Sequence, residues 1–234
     1  MAVGLYAGYD AVRGLFRDGP ARAERDGWGI LGLERALRLD PEGWLNAHVQ
    51  ATPLLAVPAC YVYATLHFVV TPCVLVWTFR HRPAFYTRAR TALALTTAGA
   101  LVGFWLFPTA PPRLLVGGGF HDTLSAYSGW GWWGTDASVP QGAAALANQF
   151  AAMPSLHVAW SVWCAATLLT QVRNPVVRVL AVLYPVLTAV VVLATANHFV
   201  LDVVAGAVLW ALADAFARSL IPLRVSWVRA DPIP

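Results

Sequence analysis

Residues 43–79 run for 37 positions without an Asp, Glu or Arg, residues 91–112 for 22 and residues 179–201 for 23. A helix needs about 20 mostly apolar residues to cross a hydrocarbon layer ~30 Å thick. Inside that layer every backbone N–H and C=O must be paired within the protein, and a helix does this within one segment. The composition points the same way: 58% hydrophobic and 12% charged, with a mean hydropathy of +0.58. Soluble domains carry about 25% charge. A soluble domain of 234 residues has no interior able to bury so much apolar side chain, and the same excess excludes disorder. The expected fold class is all-α, a polytopic transmembrane helix bundle of five to six spans.

Five spans are expected, at 54–79, 91–108, 154–172, 179–197 and 199–221. A sixth is open at the N-terminus: residues 1–9 are apolar, but Asp10 and Arg13 follow at once. That segment is either the tail of a span or an interfacial helix; no cleavable signal peptide is evident. Residues 17–42 mix six acids with five Arg. Ile30, Leu33 and Leu37 share one helical face there, and Glu34 and Arg38 are spaced as an i,i+4 pair, so a surface-lying amphipathic helix is expected. The chain thus divides into an N-terminal part (1–50), a transmembrane catalytic part (51–222) and a cytoplasmic tail (223–234).

The cations orient these spans. Arg80, Arg82, Arg88 and Arg90 follow the first long span, Arg173 and Arg178 the third, and Arg218, Arg224 and Arg229 close the chain. Alternating crossings put all nine on one side. The 109–153 loop, with Arg113 as its single Arg, faces the other. The positive-inside rule makes the Arg-rich side cytoplasmic, in a cell membrane. The Arg of 22–38 would lie outside and count against this assignment.

All sixteen basic residues are Arg. Without Lys there is no Walker P-loop and no Schiff-base chemistry. The net charge of +4 and pI near 9.3 are spread over membrane-flanking loops and form no nucleic-acid patch. Cys60, Cys73 and Cys164 stand isolated in apolar stretches, without metal-ligand spacing, and read as small buried hydrophobes.

Three polar features converge on the outer side. Pro108-Thr109-Ala110-Pro111-Pro112-Arg113 ends the 91–108 span, because proline cannot continue a helix; the guanidinium beyond it suits either a phosphate or phospholipid headgroups. Met153-Pro154-Ser155-Leu156-His157 opens the next span. The amides of Ser155, Leu156 and His157 lack intrahelical partners and offer an anion site. In Asn197-His198-Phe199-Val200-Leu201-Asp202, His198 and Asp202 are i,i+4 and fall on one helical face, which Gly206 continues and could open to a neighbouring helix. An acid inside an apolar segment is a functional candidate by default, and a carboxylate accepting from one imidazole nitrogen raises the basicity of the other. Two His, an Asp and an Arg beside a helix N-terminus make a phosphoryl-transfer site that needs no metal or other cofactor. The Gly- and Trp-rich 129–134 stretch of the same loop fits interfacial anchoring or a cover over a lipid headgroup.

At these residues, over roughly 50–215, the sequence resembles the type 2 phosphatidic acid phosphatase superfamily. Pro111-Pro112-Arg113, Pro154-Ser155-Leu156-His157 and the His198–Asp202 spacing match its three motifs. With Thr195-Ala196-Asn197-His198 they resemble the branch containing fungal inositol phosphorylceramide synthases. The resemblance implies a six-helix membrane enzyme acting on a lipid phosphate. It implies that His198 attacks phosphorus, Asp202 orients His198, His157 exchanges the proton, and Arg113 and the 155–157 amides hold the phosphoryl oxygens. The common first motif has a Lys where this chain has Leu106, and the third has Ser-Arg where it has Val191 and Val192. The phosphate pocket therefore carries fewer cations, with Asn197, Tyr127, Asn148 and Gln149 as neutral donors in reach by sequence. Two other readings stay open here: a transporter or channel using the His/Asp cluster as a proton or ion path, and a haem or metal binder using the two His.

Overall fold

The computed structural model describes residues 19–133 and 148–222. The 1–17 segment, part of the outer loop and the 223–234 tail lie outside them. Seven helices of eight residues or more are described, with one short turn of helix between: α1 (Gly19–Leu37), α2 (Glu42–Gln50), α3 (Pro53–His81), α4 (Pro83–Leu106), α5 (Thr123–Ala126), α6 (Leu156–Gln171), α7 (Pro175–Ala194) and α8 (Val200–Leu220), with α5 the short one. Among the described residues only an isolated bridge, Thr109 to Ala151, is extended pairing.

Four helices, α3, α4, α7 and α8, are long and apolar enough to cross a membrane. Their packing is inverted relative to a soluble protein. On α7 the exposed large aliphatics are Val176, Val179, Leu180, Val182, Leu183, Val186, Leu187 and Val190. The buried stripe of α4 is Ala89, Ala92, Thr96, Ala100 and Phe104, and that of α8 is Asp202, Gly206, Ala213 and Ala217. Helices in lipid gain nothing by hiding large aliphatics from one another, so small residues form the seams and allow close packing. The buried Thr96 and Thr78 hydroxyls donate to the carbonyls four residues back, Ala92 at 2.8 Å and Val74 at 2.7 Å.

The expected span at 154–172 is a helix, but a shorter one. α6 has 16 residues, about 24 Å at 1.5 Å per residue, less than the hydrocarbon thickness. It is the central helix, packed against α3, α4, α7 and α8. Its buried face includes Ser161, Trp163, Cys164 and Thr167, so protein rather than lipid surrounds much of it. α3 is 29 residues long and contains a π-helical stretch, Val62–Leu66. That stretch ends at His67, which lies beside α6.

The amphipathic reading of α1 needs correction. Ile30 is buried, but Leu33 and Leu37 are half exposed. The buried face is Ala23, Gly27, Ile30, Leu31 and Glu34. Gly27 sets this rotation: a Cβ there would lie 2.6 Å from the Ala110 carbonyl oxygen, so α1 docks by its small residues onto the 110–115 segment. The Glu34–Arg38 pair does not form. Arg38 has left the helix with φ 56°, and Glu34 turns inward. α1 and α2 thus lie over one end of the bundle, held by Ala110 N–H to Ala23 O (2.9 Å) and by Asn46 Nδ2 to Ala194 O (3.0 Å).

Arg82, Arg88, Arg178 and Arg218 gather at the other end. Arg82 reaches Gln171 O, Arg178 reaches Leu169 and Val172 O, and Arg88 and Arg218 share Asp214.

Candidate functional site

α7 ends in a Schellman motif. The Asn197 N–H returns to Val192 O (3.1 Å) and the Ala196 N–H to Leu193 O (2.9 Å). Glycine usually occupies the left-handed position of this motif; here Ala196 does, at φ 54°. The turn that follows carries Asn197 and His198, and α8 begins only at Val200. His198 therefore precedes the helix, and the expectation of a shared helical face is corrected. The two side chains meet because Asp202, at the third helical position, folds back to cap the Phe199 N–H at 2.9 Å. This places its Oδ2 3.3 Å from His198 Nδ1.

A second acceptor sits closer. The Ala152 carbonyl is 2.8 Å from the same nitrogen. A carbonyl can only accept, so Nδ1 carries a proton, and in the neutral ring Nε2 then holds the lone pair. Asp202 is fully buried and His198 nearly so. The sequence offered no signal for Ala152, whose position depends on the Thr109–Ala151 bridge: Thr109 N–H to Phe150 O at 2.8 Å and Ala152 N–H to Thr109 O at 3.4 Å.

His157 stands in the first turn of α6, its ring centroid 5.7 Å from that of His198. Tyr63 stacks on it at 4.5 Å and His67 meets its edge at 4.2 Å. His67 belongs to the site's surroundings and was not singled out from the sequence, although an ionisable side chain in an apolar span is signal enough.

Arg113 lies on the 3₁₀ turn Pro112–Leu114, with its backbone N–H on Ala196 O (2.9 Å). Its side chain is 3% exposed. Nε donates to Asn197 Oδ1 (2.9 Å) and Nη1 to Asp122 Oδ2 (2.8 Å). These two bonds fix the plane of the guanidinium and leave Nη2 for a ligand. Asp122 also caps α5 through Ser125 N–H, and sequence reading passed over it.

Asn197 and Ser155 are placed differently from simple phosphate donors. The Asn197 amide is taken up by Arg113 and by Thr195 O and Oγ1. The Ser155 N–H is committed to Asp202 O at 3.0 Å, and its hydroxyl accepts from Val158 N–H. The amides of Leu156 and His157 remain at the helix start, where unpaired N–H groups and the helix dipole favour an anion. Gly206 makes this docking possible, since a Cβ on it would lie 2.3 Å from Ser155 O. Arg113, Asn197, His198, Asp202, Ser155 and His157 thus form one connected cluster at the α1/α2 end of the bundle. Tyr127 instead donates to Gln50 O, and the Asn148 carboxamide accepts from Phe150 N–H.

No curated protein and no solved structure matches the chain. A family model, that of the PAP2 superfamily, matches residues 28–216, a stretch that holds every member of the cluster. With the apolar helices and this match, the chain belongs to the PAP2 superfamily, whose members are membrane phosphatases and phosphotransferases.

Proposed function

We propose that this protein transfers a phosphoryl or substituted phosphoryl group from a lipid headgroup by way of a phosphohistidine on His198. The observation that carries this reading is the double acceptor at His198 Nδ1, which supports a nucleophilic Nε2. In the first step Nε2 attacks phosphorus and the bond from phosphorus to the leaving oxygen breaks. His157 gives that oxygen its proton, and the positive charge on the His198 ring is balanced by Asp202. In the second step neutral His157 takes a proton from water or an alcohol. The resulting oxygen attacks phosphorus, the P–N bond breaks, and both histidines return to their starting forms. Arg113 Nη2 and the α6 amides face the charge that gathers on the phosphoryl oxygens, the kind of fixed-dipole stabilisation that dominates such reactions.

Water or an alcohol such as inositol completes the second step; the resemblance of Pro111-Pro112-Arg113 and Pro154-Ser155-Leu156-His157 to the inositol phosphorylceramide synthase branch tilts the reading slightly toward the alcohol. The Arg at the end opposite the cluster, Arg82, Arg88, Arg178 and Arg218 among them, support an extracytoplasmic site in the cell membrane. The test is purified protein given phosphatidate, a prenyl diphosphate, or phosphatidylinositol with a lipid alcohol. We expect an acid-labile phosphoryl label on the wild type and none on His198→Ala, whose turnover falls by about 10⁴-fold or more. Undiminished turnover in His198→Ala would sink the nucleophile assignment. Sidedness is tested with a Cys at Val116, which is 89% exposed, in a Cys73→Ser background. An impermeant thiol reagent is expected to label intact cells, and labelling only after lysis reverses the orientation.

A further inference from the structure

Two glutamates that the mechanism does not use lie against the nucleophile segment. Glu34 on α1 and Glu42 at the start of α2 are both fully buried. Glu34 Oε1 accepts the Leu201 N–H at 2.6 Å, one residue before Asp202. The two carboxyls are within hydrogen-bonding reach of each other. Otherwise Glu34 Oε2 and both Glu42 oxygens have no donor from another residue among those described. Two ionised carboxylates cannot share a dry site, and neither has a donor to offer the other unless one is protonated.

We propose that Glu34 and Glu42 form a carboxyl–carboxylate pair sharing one proton, and that it caps the first turn of α8 from outside the helix and so positions His198 and Asp202. The surrounding charges fit. Asp202 faces the pair from α8 and Asp40 from the α1–α2 turn, and both favour keeping the proton. The nearby cations are engaged elsewhere: Arg35 lies 3.8 Å from Asp40 and donates to Gly118 O, and Arg113 is bound to Asp122. On α2, His48 is exposed. Burial, then the Glu42 carboxyl, pushes the Glu34 carboxyl up to about 9, and burial also raises that of Glu42. Between the ordinary carboxyl value of 4.5 and about 9 the folded chain holds a proton that the unfolded chain has lost. Stability contributed by the pair therefore falls as pH rises across that window. Above it the pair becomes two facing carboxylates, and the cap opens.

Glu34→Gln keeps the acceptor for Leu201 N–H and supplies a permanent donor to Glu42. The full-length protein in detergent is compared with Glu34→Gln, Glu42→Gln and Glu34→Leu. In the wild type at neutral pH, infrared difference spectra are expected to show a buried protonated-carboxyl C=O band, which both Gln variants lose. The melting temperature of the wild type is expected to fall from about pH 5 to about pH 9 more steeply than that of Glu34→Gln. These readouts need no substrate, so they stand or fall apart from the phosphohistidine reading, on which only the activity arm rests. In that arm Glu34→Gln keeps neutral-pH kcat within about threefold and loses the alkaline decline, while Glu34→Leu loses about 10²-fold in kcat with KM little changed. A wild type without the carboxyl band, or equal pH slopes in wild type and Glu34→Gln, overturns the shared proton. Full activity in Glu34→Leu overturns the positioning role.

Discussion

Arg113 with Asp122 and Arg218 with Asp214 are the same chemical pair at opposite ends of one bundle. The Arg113 side chain is 3% exposed and that of Arg218 is 58% exposed. At the Arg-rich end Arg82 and Arg178 take helix-end carbonyls, and Arg88 and Arg218 share Asp214. At the α1/α2 end each polar group is fixed by two or more others: Arg113 by Asn197 and Asp122, His198 by Ala152 and Asp202. Arg218 stays largely solvated at one end, while Arg113 at the other is desolvated and oriented. Burial, rather than residue type, separates Arg113 from Arg218.

Four substitutions break or sharpen that contrast. The largest effect belongs to Arg113→Ala, which leaves Asp122 facing no cation. A buried pair broken on one side costs about 3–5 kcal/mol, and the 23% exposure of Asp122 puts this case near the lower figure. Thermal unfolding in detergent should show the loss, with turnover reduced by about 10²-fold or more. Gly206→Ala comes next: its methyl meets the Ser155 carbonyl, and overpacking of this kind costs about 1–3 kcal/mol. Because Ser155 leads into His157, kcat should fall together with the melting temperature. Unaltered kinetics would show that α6 and α8 need not dock this closely.

Ala196→Gly acts in the opposite direction. The left-handed conformation costs a non-glycine residue about 1–2 kcal/mol, so the variant should unfold roughly 1 kcal/mol later in denaturant. A loss of stability would argue against the Schellman geometry. Arg218→Ala, at the exposed end, should change stability by less than about 1 kcal/mol and leave turnover intact. A larger change would mean the two ends are not as different as their burial indicates.

The helices and the residues of the cluster were legible in advance. Apolar runs are set by the bilayer, and His157, His198, Asp202 and Arg113 stand out where ionisable side chains are scarce. The rotation of α1 was not legible. Leu33 and Leu37 look like its buried face under the rule for soluble helices, yet Gly27 and Ala23 make the contact, because lipid accepts exposed leucines. Asp122 and Glu34 were hidden for a related reason. Glu34 sits on a helix of mixed charge and Asp122 in a loop, both outside the apolar spans that make an acid conspicuous, and only folding brings them against Leu201 and Arg113. His67 carried a readable signal that went unused.

The sequence by itself determined that this chain is a helical membrane protein. It also determined which residues can do phosphoryl chemistry, since hydropathy and residue type are local properties. Tertiary structure alone decided how they are held. The proton on His198 is held by a carbonyl from a loop 46 residues away, and the guanidinium of Arg113 by Asn197 and Asp122 from separate segments. The first turn of α8 meets a carboxyl from α1, 167 residues distant. No local rule reaches such partners, because desolvation and orientation exist only once the segments have packed.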